Sequence, residues 1–156
     1  MSESKSKTYF SVTVEIEAAP DMVWSIMADV ERWPEWTPTV SSLRLLTAGP
    51  LQLGSRARIH QPRLPRANWR VSQLRPGHSF TWVSVAPGVR VTARHSLAAT
   101  VGGACATLSI CYEGIFGGWL ARWTGDLNER YLALEADGLK RRCTELATKL
   151  LYHEVH

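Results

Sequence analysis

The sequence predicts an α+β domain in which a curved seven-stranded antiparallel sheet wraps around a long C-terminal helix. Between residues 40 and 113, short runs of alternating apolar and polar residues are separated by Pro-Gly and Gly-Gly pairs, which is typical of antiparallel strands. After Gly114, apolar residues instead recur every three to four positions, which is the period of an amphipathic helix. Because a sheet must bury one face and such a helix offers a matching apolar stripe, we expect the two to pack together.

The chain is expected to begin with a strand and two short helices. Residues Tyr9–Glu17 alternate apolar and polar side chains and are rich in β-branched types, which predicts the first strand. Pro20 suits the first position of a helix, because its missing N–H costs nothing there, and Asp21 complements the helix dipole. Asp29 is expected to cap a second short helix, which Pro34 is expected to end.

Six further strands follow these two short helices. They are predicted at Val40–Leu46, Ser55–Gln61, Asn68–Leu74, Phe80–Val85, Val89–Val101 and Ala104–Glu113. Pro76-Gly77 and Pro87-Gly88 favour type II turns, and Gly102-Gly103 favours a primed hairpin turn. The strands are therefore expected to form an antiparallel meander.

The last element is predicted to be a single amphipathic helix. It is expected to span about 30 residues, or about 45 Å at 1.5 Å per residue. Its inward stripe is expected to consist of Leu120, Trp123, Leu127, Tyr131, Leu134 and Gly138. A curved sheet that holds such a helix often leaves a space between the two.

The size and composition favour one globular domain. The chain has 156 residues, and we expect a domain over residues 9–150, a flexible segment at residues 1–8 and a tail at residues 151–156. No apolar run approaches the ~20 residues of a membrane helix, and the polar N-terminus lacks the apolar segment of a signal peptide, so we expect a cytoplasmic protein. Cys105, Cys111 and Cys143 have neither metal-site nor disulfide spacing and are interpreted as reduced thiols.

The net charge of +4 comes from a local basic stripe. Its arginines are Arg56, Arg58, Arg63, Arg66, Arg70 and Arg75, with His60 among them. Alternation of Arg56 and Arg58 with Ala57 and Ile59 indicates the solvated face of a strand. Two alternatives are peripheral contact with an anionic surface and arginines that enter a cavity. Nucleic acid binding is not expected, because aromatic and basic residues do not interleave as a stacking platform.

Several short motifs resemble a known superfamily. They are Ala19-Pro20-x-x-Val23-Trp24, Asp29-Val30-Glu31-Arg32-Trp33-Pro34-Glu35-Trp36, Leu53-Gly54-Ser55, Trp69-x-Val71, Phe80-x-Trp82 and His95. With them the chain resembles the SRPBCC or START-type superfamily, which has the helix-grip fold, over almost its whole length after Tyr9. Within this superfamily it is most similar to bacterial proteins of the polyketide cyclase/dehydrase type.

The resemblance implies a cavity between the sheet and the long helix that accepts an apolar or aromatic small molecule. It implies no metal centre, since the 2-His-1-carboxylate spacing of the iron-containing relatives is absent, and no other cofactor is expected. The chain is expected to be a monomer or a homodimer.

Three residues are candidates for chemistry in such a cavity. By the two-residue period of a strand, His95 shares the apolar face of Val91 and Ala93, where it could donate to a carbonyl or act as an acid or base. Tyr112 is also expected to point inward and to orient a polar group. Arg58 becomes a candidate if its strand faces the other way.

The expected ligand-binding residues are mainly aromatic. They are Trp33, Trp36, Trp69, Trp82, His95, Tyr112, Trp123 and Tyr131. Two functions follow from this set. The first is a carrier or sensor that binds a hydrophobic or aromatic small molecule or a lipid. The second is a polyketide cyclase, aromatase or dehydratase, in which the same cavity orients a flexible substrate. A separate alternative, which rests on the basic stripe and not on this aromatic set, is an interaction module for an anionic partner.

Overall fold

The computed structural model describes residues 7–155 and contains one sheet, three helices and the expected order of elements. The strands are β1 (Thr8–Ile16), β2 (Ser42–Leu45), β3 (Arg56–His60), β4 (Ala67–Arg75), β5 (Ser79–Ala86), β6 (Val89–Thr100) and β7 (Gly103–Glu113). The helices are α1 (Pro20–Ala28), a 3-10 helix (Val30–Glu35) and α2 (Gly117–Val155). Most of the segment predicted to be flexible, residues 1–6, lies outside the described residues.

The sheet is a seven-stranded antiparallel meander in the order β1-β7-β6-β5-β4-β3-β2. Because α1 and the 3-10 helix carry the chain from one sheet edge to the other, β1 pairs with the last strand and not with β2. Helix α2 packs chiefly against β1 and β7 and also against α1. The predicted helix-grip architecture is therefore confirmed.

The two short helices differ in detail from the prediction. Pro20 is in the first turn of α1 as expected, but Asp29 makes no side-chain capping bond and instead lies 3.5 Å from the Arg32 guanidinium. Pro34 lies inside the 3-10 helix rather than ending it. The backbone N–H groups of Trp36 and Thr37 close this turn by donating to the Trp33 carbonyl at 3.1 and 3.0 Å.

The hairpin turns use their glycines in two ways. Gly77 and Gly88 have φ values of +77° and +76°, as the type II prediction requires. The β6–β7 turn is not the predicted primed type, since the positive φ of 152° falls on Gly103, after the turn. Glycine is needed there because a Cβ would lie 2.3 Å from the Ile16 carbonyl oxygen.

Helix α2 is longer than the sequence predicts, with 39 residues. It continues through residues 151–155, which the sequence assigns to a tail. Its C-terminal end carries exposed apolar side chains, such as Leu150 and Leu151. Within residues 7–155, no helix is long and apolar enough to span a membrane.

Candidate functional site

A cavity of about 220 Å³ lies between the concave face of the sheet and α2. Strands β3 to β7 form its floor and walls, and the 3-10 helix contributes Trp33. Helix α2 contributes Leu120, Thr124, Asn128, Tyr131, Leu132 and Glu135. The loop between β3 and β4 closes one side with Leu64 and Pro65, and the Tyr131 hydroxyl ties α2 to this loop by donating to the Pro62 carbonyl.

The sheet side of the cavity is an aromatic wall. Trp33 lies 5.4 Å from Trp82 and 5.0 Å from His95 between ring centroids, and Trp69 lies 6.0 Å from Trp82. The ring of the fully buried Phe80 stacks on His95 at 4.6 Å and 10°. The Trp33 indole N–H donates to the Met27 carbonyl at 3.0 Å, which fixes its orientation. These contacts give the wall a fixed shape.

The helix side of the cavity is polar, and His95 belongs to its first polar pair. His95 Nε2 lies 3.0 Å from Glu135 Oε1, and both residues are buried. Because a carboxylate only accepts, the Nε2–H is assigned as the donor. The other ring nitrogen, Nδ1, is enclosed and has no hydrogen-bond partner in the described structure. Both residues line the cavity, and the Glu135 side chain, at 11% exposed, is slightly more accessible than that of His95, at 6%.

The second polar group is a chain of three side chains. The Tyr112 hydroxyl donates to Asn128 Oδ1 at 2.8 Å, and Asn128 Nδ2 donates to Thr124 Oγ1 at 3.0 Å. The Thr124 hydroxyl in turn donates a hydrogen bond to the Leu120 carbonyl at 2.8 Å. Burial raises the pKa of Tyr112, and the side chains of Thr124 and Asn128 offset part of that rise. The Tyr112 hydroxyl is therefore neutral at physiological pH, and it already donates its one hydrogen bond to Asn128.

Six of the eight expected ligand-binding residues line the cavity. They are Trp33, Trp69, Trp82, His95, Tyr112 and Tyr131. The inward orientation that the strand period predicts for His95 and Tyr112 is therefore correct. The other two, Trp36 and Trp123, lie elsewhere.

Trp36 is a core residue. It is buried against α2, where Gly138 leaves room for its backbone: a Cβ at Gly138 would lie 2.2 Å from the Trp36 carbonyl oxygen. Trp123 is 75% exposed, on the outer side of α2. The helix is rotated from the predicted orientation, so that Thr124 faces the cavity in its place, although Leu120 and Tyr131 of the predicted stripe still line the cavity.

The rotation explains which site residues the sequence analysis missed. Thr124, Asn128 and Glu135 lie four and seven residues apart and form a polar stripe, whereas the prediction followed the more apolar one. A helix that faces a cavity has no need of large apolar residues there. The helical spacing of these three polar side chains is the signal that could have identified them.

Arg58 does not enter the cavity. Arg56 and Arg58 are exposed on the outer face of β3, whereas Ala57 and Ile59 are buried, and the Arg58 Nε–H donates to Asn68 Oδ1 at 3.2 Å. The solvated-face interpretation of this strand is therefore confirmed, and the alternative in which Arg58 enters the cavity is wrong. Burial of an unpaired guanidinium would be costly, and the outer face avoids that cost.

Residues 7–144 match the family described as polyketide cyclase / dehydrase and lipid transport. The chain belongs to this family. No curated protein matches the chain.

The fold of this chain is similar to that of several solved structures. The di-domain aromatase/cyclase StfQ, from the steffimycin biosynthetic pathway, superposes with a TM-score of 0.72 at 13% identity. The superposition covers 91% of this chain and 52% of StfQ, so this chain spans about half the length of that protein. Norcoclaurine synthase from Thalictrum flavum gives 0.70 at 15% identity, over 92% and 98% of the two chains. Major latex-like protein 151 from Panax ginseng gives 0.69 at 14% identity, over 88% and 97%. At these identities the likeness shows the fold alone.

Within the described residues 7–155, no group of three His, Cys, Asp or Glu side chains is placed to hold a metal ion. The cysteines are free, and Cys143, on the buried side of α2, is fully enclosed.

Proposed function

We propose that this protein binds a compact apolar or aromatic molecule in the cavity between the sheet and α2, as a carrier or sensor. The observation that carries the proposal is the division of the cavity into an aromatic wall on the sheet and a polar stripe on the helix. An apolar ring would pack on Trp33, Trp69 and Trp82, and its polar substituent would face α2. Mostly apolar pockets with few, convergent polar groups are typical of small-molecule sites.

The cavity volume limits the size of the enclosed part of the ligand. An apolar cavity of about 150 Å³ holds benzene, and this one has about 220 Å³. We therefore expect one substituted ring or two fused rings inside, with any longer chain extending beyond the cavity. The three free cysteines suit a reducing compartment, so a cytoplasmic location is part of the proposal.

A matched pair of substitutions tests binding in this cavity. Ala93→Phe adds a ring to a buried position of β6 that lines the cavity, whereas Ala98→Phe adds the same ring to an exposed position of the same strand. Native mass spectrometry and solvent extraction should find a copurified or titrated aromatic ligand on the wild type and on A98F but not on A93F. Circular dichroism checks that A93F folds, and Ala93→Leu replaces it otherwise. Equal binding by A93F and A98F would exclude the cavity as the site.

A second candidate is an enzyme of the cyclase, aromatase or dehydratase type that uses the same cavity. The observation that favours it is the Glu135 side chain, which lines a largely apolar cavity and is held in place by His95. A carboxylate so placed can accept a proton from a bound substrate and return it, with His95 stabilising the charged form. The Tyr112 hydroxyl cannot donate a hydrogen bond to a substrate without breaking its bond to Asn128. Toward a substrate, its oxygen therefore serves as a hydrogen-bond acceptor.

Turnover by three variants separates the enzyme from the carrier. With a polyketide-type substrate, Glu135→Gln should abolish proton transfer while leaving ligand affinity within a few-fold, since glutamine keeps the hydrogen bond to His95. His95→Ala should lower the rate less, and Tyr112→Phe should act mainly on affinity. Unchanged rates in E135Q would exclude the catalytic role and leave the carrier.

A further inference from the structure

An exposed row of large aromatic side chains, which we call the aromatic stripe, lies at the N-terminal end of α2: Phe116 just before the helix, then Trp119 and Trp123 in its first two turns. Their spacing of three and four residues places them on one face. They are 54%, 66% and 75% exposed, and the Trp119 and Trp123 rings stack at 5.8 Å and 14°. Ile115, just before the helix, is 82% exposed and extends the stripe.

Contacts with the sheet fix the start of this stripe. The Phe116 backbone N–H donates to the Gly88 carbonyl at 2.9 Å, and a Cβ at Gly88 would lie 2.3 Å from the Phe116 ring. The Phe116 side chain therefore rests on the β5–β6 turn, while the two indoles project beyond it. Large apolar surface that a protein exposes in one place usually marks an interaction site.

A cationic side chain accompanies the two indoles. Arg122 lies with Trp119, Trp123 and Thr8 around a shallow groove on the outer side of α2. Its guanidinium is exposed and forms no ion pair with the part of the chain that the structure describes, residues 7–155. Indole rings beside a free guanidinium suit an apolar surface that carries anionic groups.

The stripe and the cavity share the same two helical turns. Leu120 and Thr124 line the cavity on the inner side, while Trp119 and Trp123 precede them on the outer side. A partner that contacts the indoles thus lies within about one helix diameter, about 10 Å, of the cavity.

We propose that the aromatic stripe docks this protein on a lipid bilayer that contains anionic headgroups. Tryptophan prefers the membrane–water interface, where its ring contacts acyl chains and its N–H stays hydrated. Arg122 would pair with a headgroup phosphate, and the net charge of +4 attracts the protein to an anionic leaflet. This proposal goes beyond ligand binding, since it concerns the outer surface and holds whether or not the cavity is occupied.

Vesicle sedimentation tests the proposal. The full chain should bind vesicles of equimolar phosphatidylcholine and phosphatidylserine, and the double variant W119A/W123A should lower the partition coefficient at least about tenfold, because binding scales with the apolar area inserted. Arg122→Gln should weaken binding about fivefold on these vesicles and not on pure phosphatidylcholine. The matched control L150A/L151A removes two exposed apolar residues at the other end of the same helix and should bind as the wild type.

Two results would overturn the proposal. The first is equal vesicle binding by the wild type and W119A/W123A. The second is no vesicle binding together with a dimer that W119A/W123A dissociates in analytical ultracentrifugation, which would make the stripe a contact between two copies of the chain. Because the substituted residues are exposed, thermal unfolding should be unchanged in both double variants.

Discussion

His95 Nε2 and Glu135 Oε1 lie 3.0 Å apart and join the middle of β6 to the middle of α2 across the polar side of the cavity. The pair is buried, and the sheet and the helix each supply one member. It therefore holds the two layers together and presents a carboxylate oxygen to the cavity at the same time.

The first prediction concerns the stability that this pair provides. His95→Ala should lower the free energy of unfolding by about 2–4 kcal/mol, because it leaves a buried carboxylate without its partner. Glu135→Gln should cost about 1 kcal/mol, since the amide oxygen still accepts the Nε2–H bond. Urea denaturation at neutral pH measures both. If H95A lowers the free energy of unfolding by less than about 0.5 kcal/mol, the buried hydrogen bond between His95 and Glu135 is contradicted.

The second prediction concerns the Tyr112 hydroxyl. Tyr112→Phe should destabilise the fold by about 1–2 kcal/mol, because Asn128 Oδ1 then lacks its donor inside the protein. Tyr9→Phe is the matched control, since Tyr9 is 63% exposed, and it should change the stability by less than about 0.5 kcal/mol. Chemical denaturation of the two variants side by side is the measurement, and equal losses would count against the Tyr112–Asn128 bond.

The third prediction compares two glycines of α2. Gly138→Ala should destabilise by about 2 kcal/mol or more, because its Cβ would lie 2.2 Å from the Trp36 carbonyl oxygen, which belongs to rigid backbone. At Gly125 a Cβ would meet only the Phe10 ring edge at 3.8 Å, so Gly125→Ala should stabilise by up to about 1 kcal/mol through helix propensity. Thermal and urea unfolding measure whether each variant loses or gains stability relative to the wild type. A neutral G138A would mean that α2 does not approach Trp36 so closely.

The fourth prediction concerns the buried thiol of Cys143. Burial raises its pKa from 9.0 to about 12, so the thiol stays protonated and unreactive at pH 8. In the folded protein, a thiol-specific alkylating reagent followed by peptide mass spectrometry should leave Cys143 unmodified under conditions that label it fully after unfolding.

The same pKa shift fixes the sign of a pH dependence. Because the folded-state pKa lies above the unfolded value of 9.0, the folded protein holds this proton more tightly. The contribution to stability is present below pH 9 and is lost as the pH rises toward about 12. Rapid labelling of Cys143 in the native state at pH 8 would contradict both statements.

The strands were predicted well because their side-chain period leaves little choice. In β6 and β7, alternate residues must face the core, so the inward positions of His95 and Tyr112 followed from the neighbouring alanines and leucines. The positive-φ positions of Gly77 and Gly88 followed in the same way from the Pro-Gly turns. Local chemistry decides these features.

The orientation of α2 could not be predicted by the same reasoning. Choosing the most apolar stripe assumes that a helix packs on a solid core, but α2 faces a cavity and turns Thr124, Asn128 and Glu135 inward. The partner of Glu135 lies forty residues away on β6, and such a pairing depends on the tertiary fold. The exposure of Trp123 has the same cause, since rotating the helix moved it outward.

Methyl NMR during ligand titration tests the central claim, binding in the cavity, most directly. With alanine methyl groups labelled, a compact aromatic ligand should shift or broaden the Ala93 signal, because Ala93 lines the cavity, while the exposed Ala98 on the same strand stays unchanged. The Ala67 methyl, which lines the cavity from β4, should respond with Ala93. If a library of one-ring and two-ring compounds shifts neither Ala93 nor Ala67, or shifts Ala98 alone, the cavity is not the binding site.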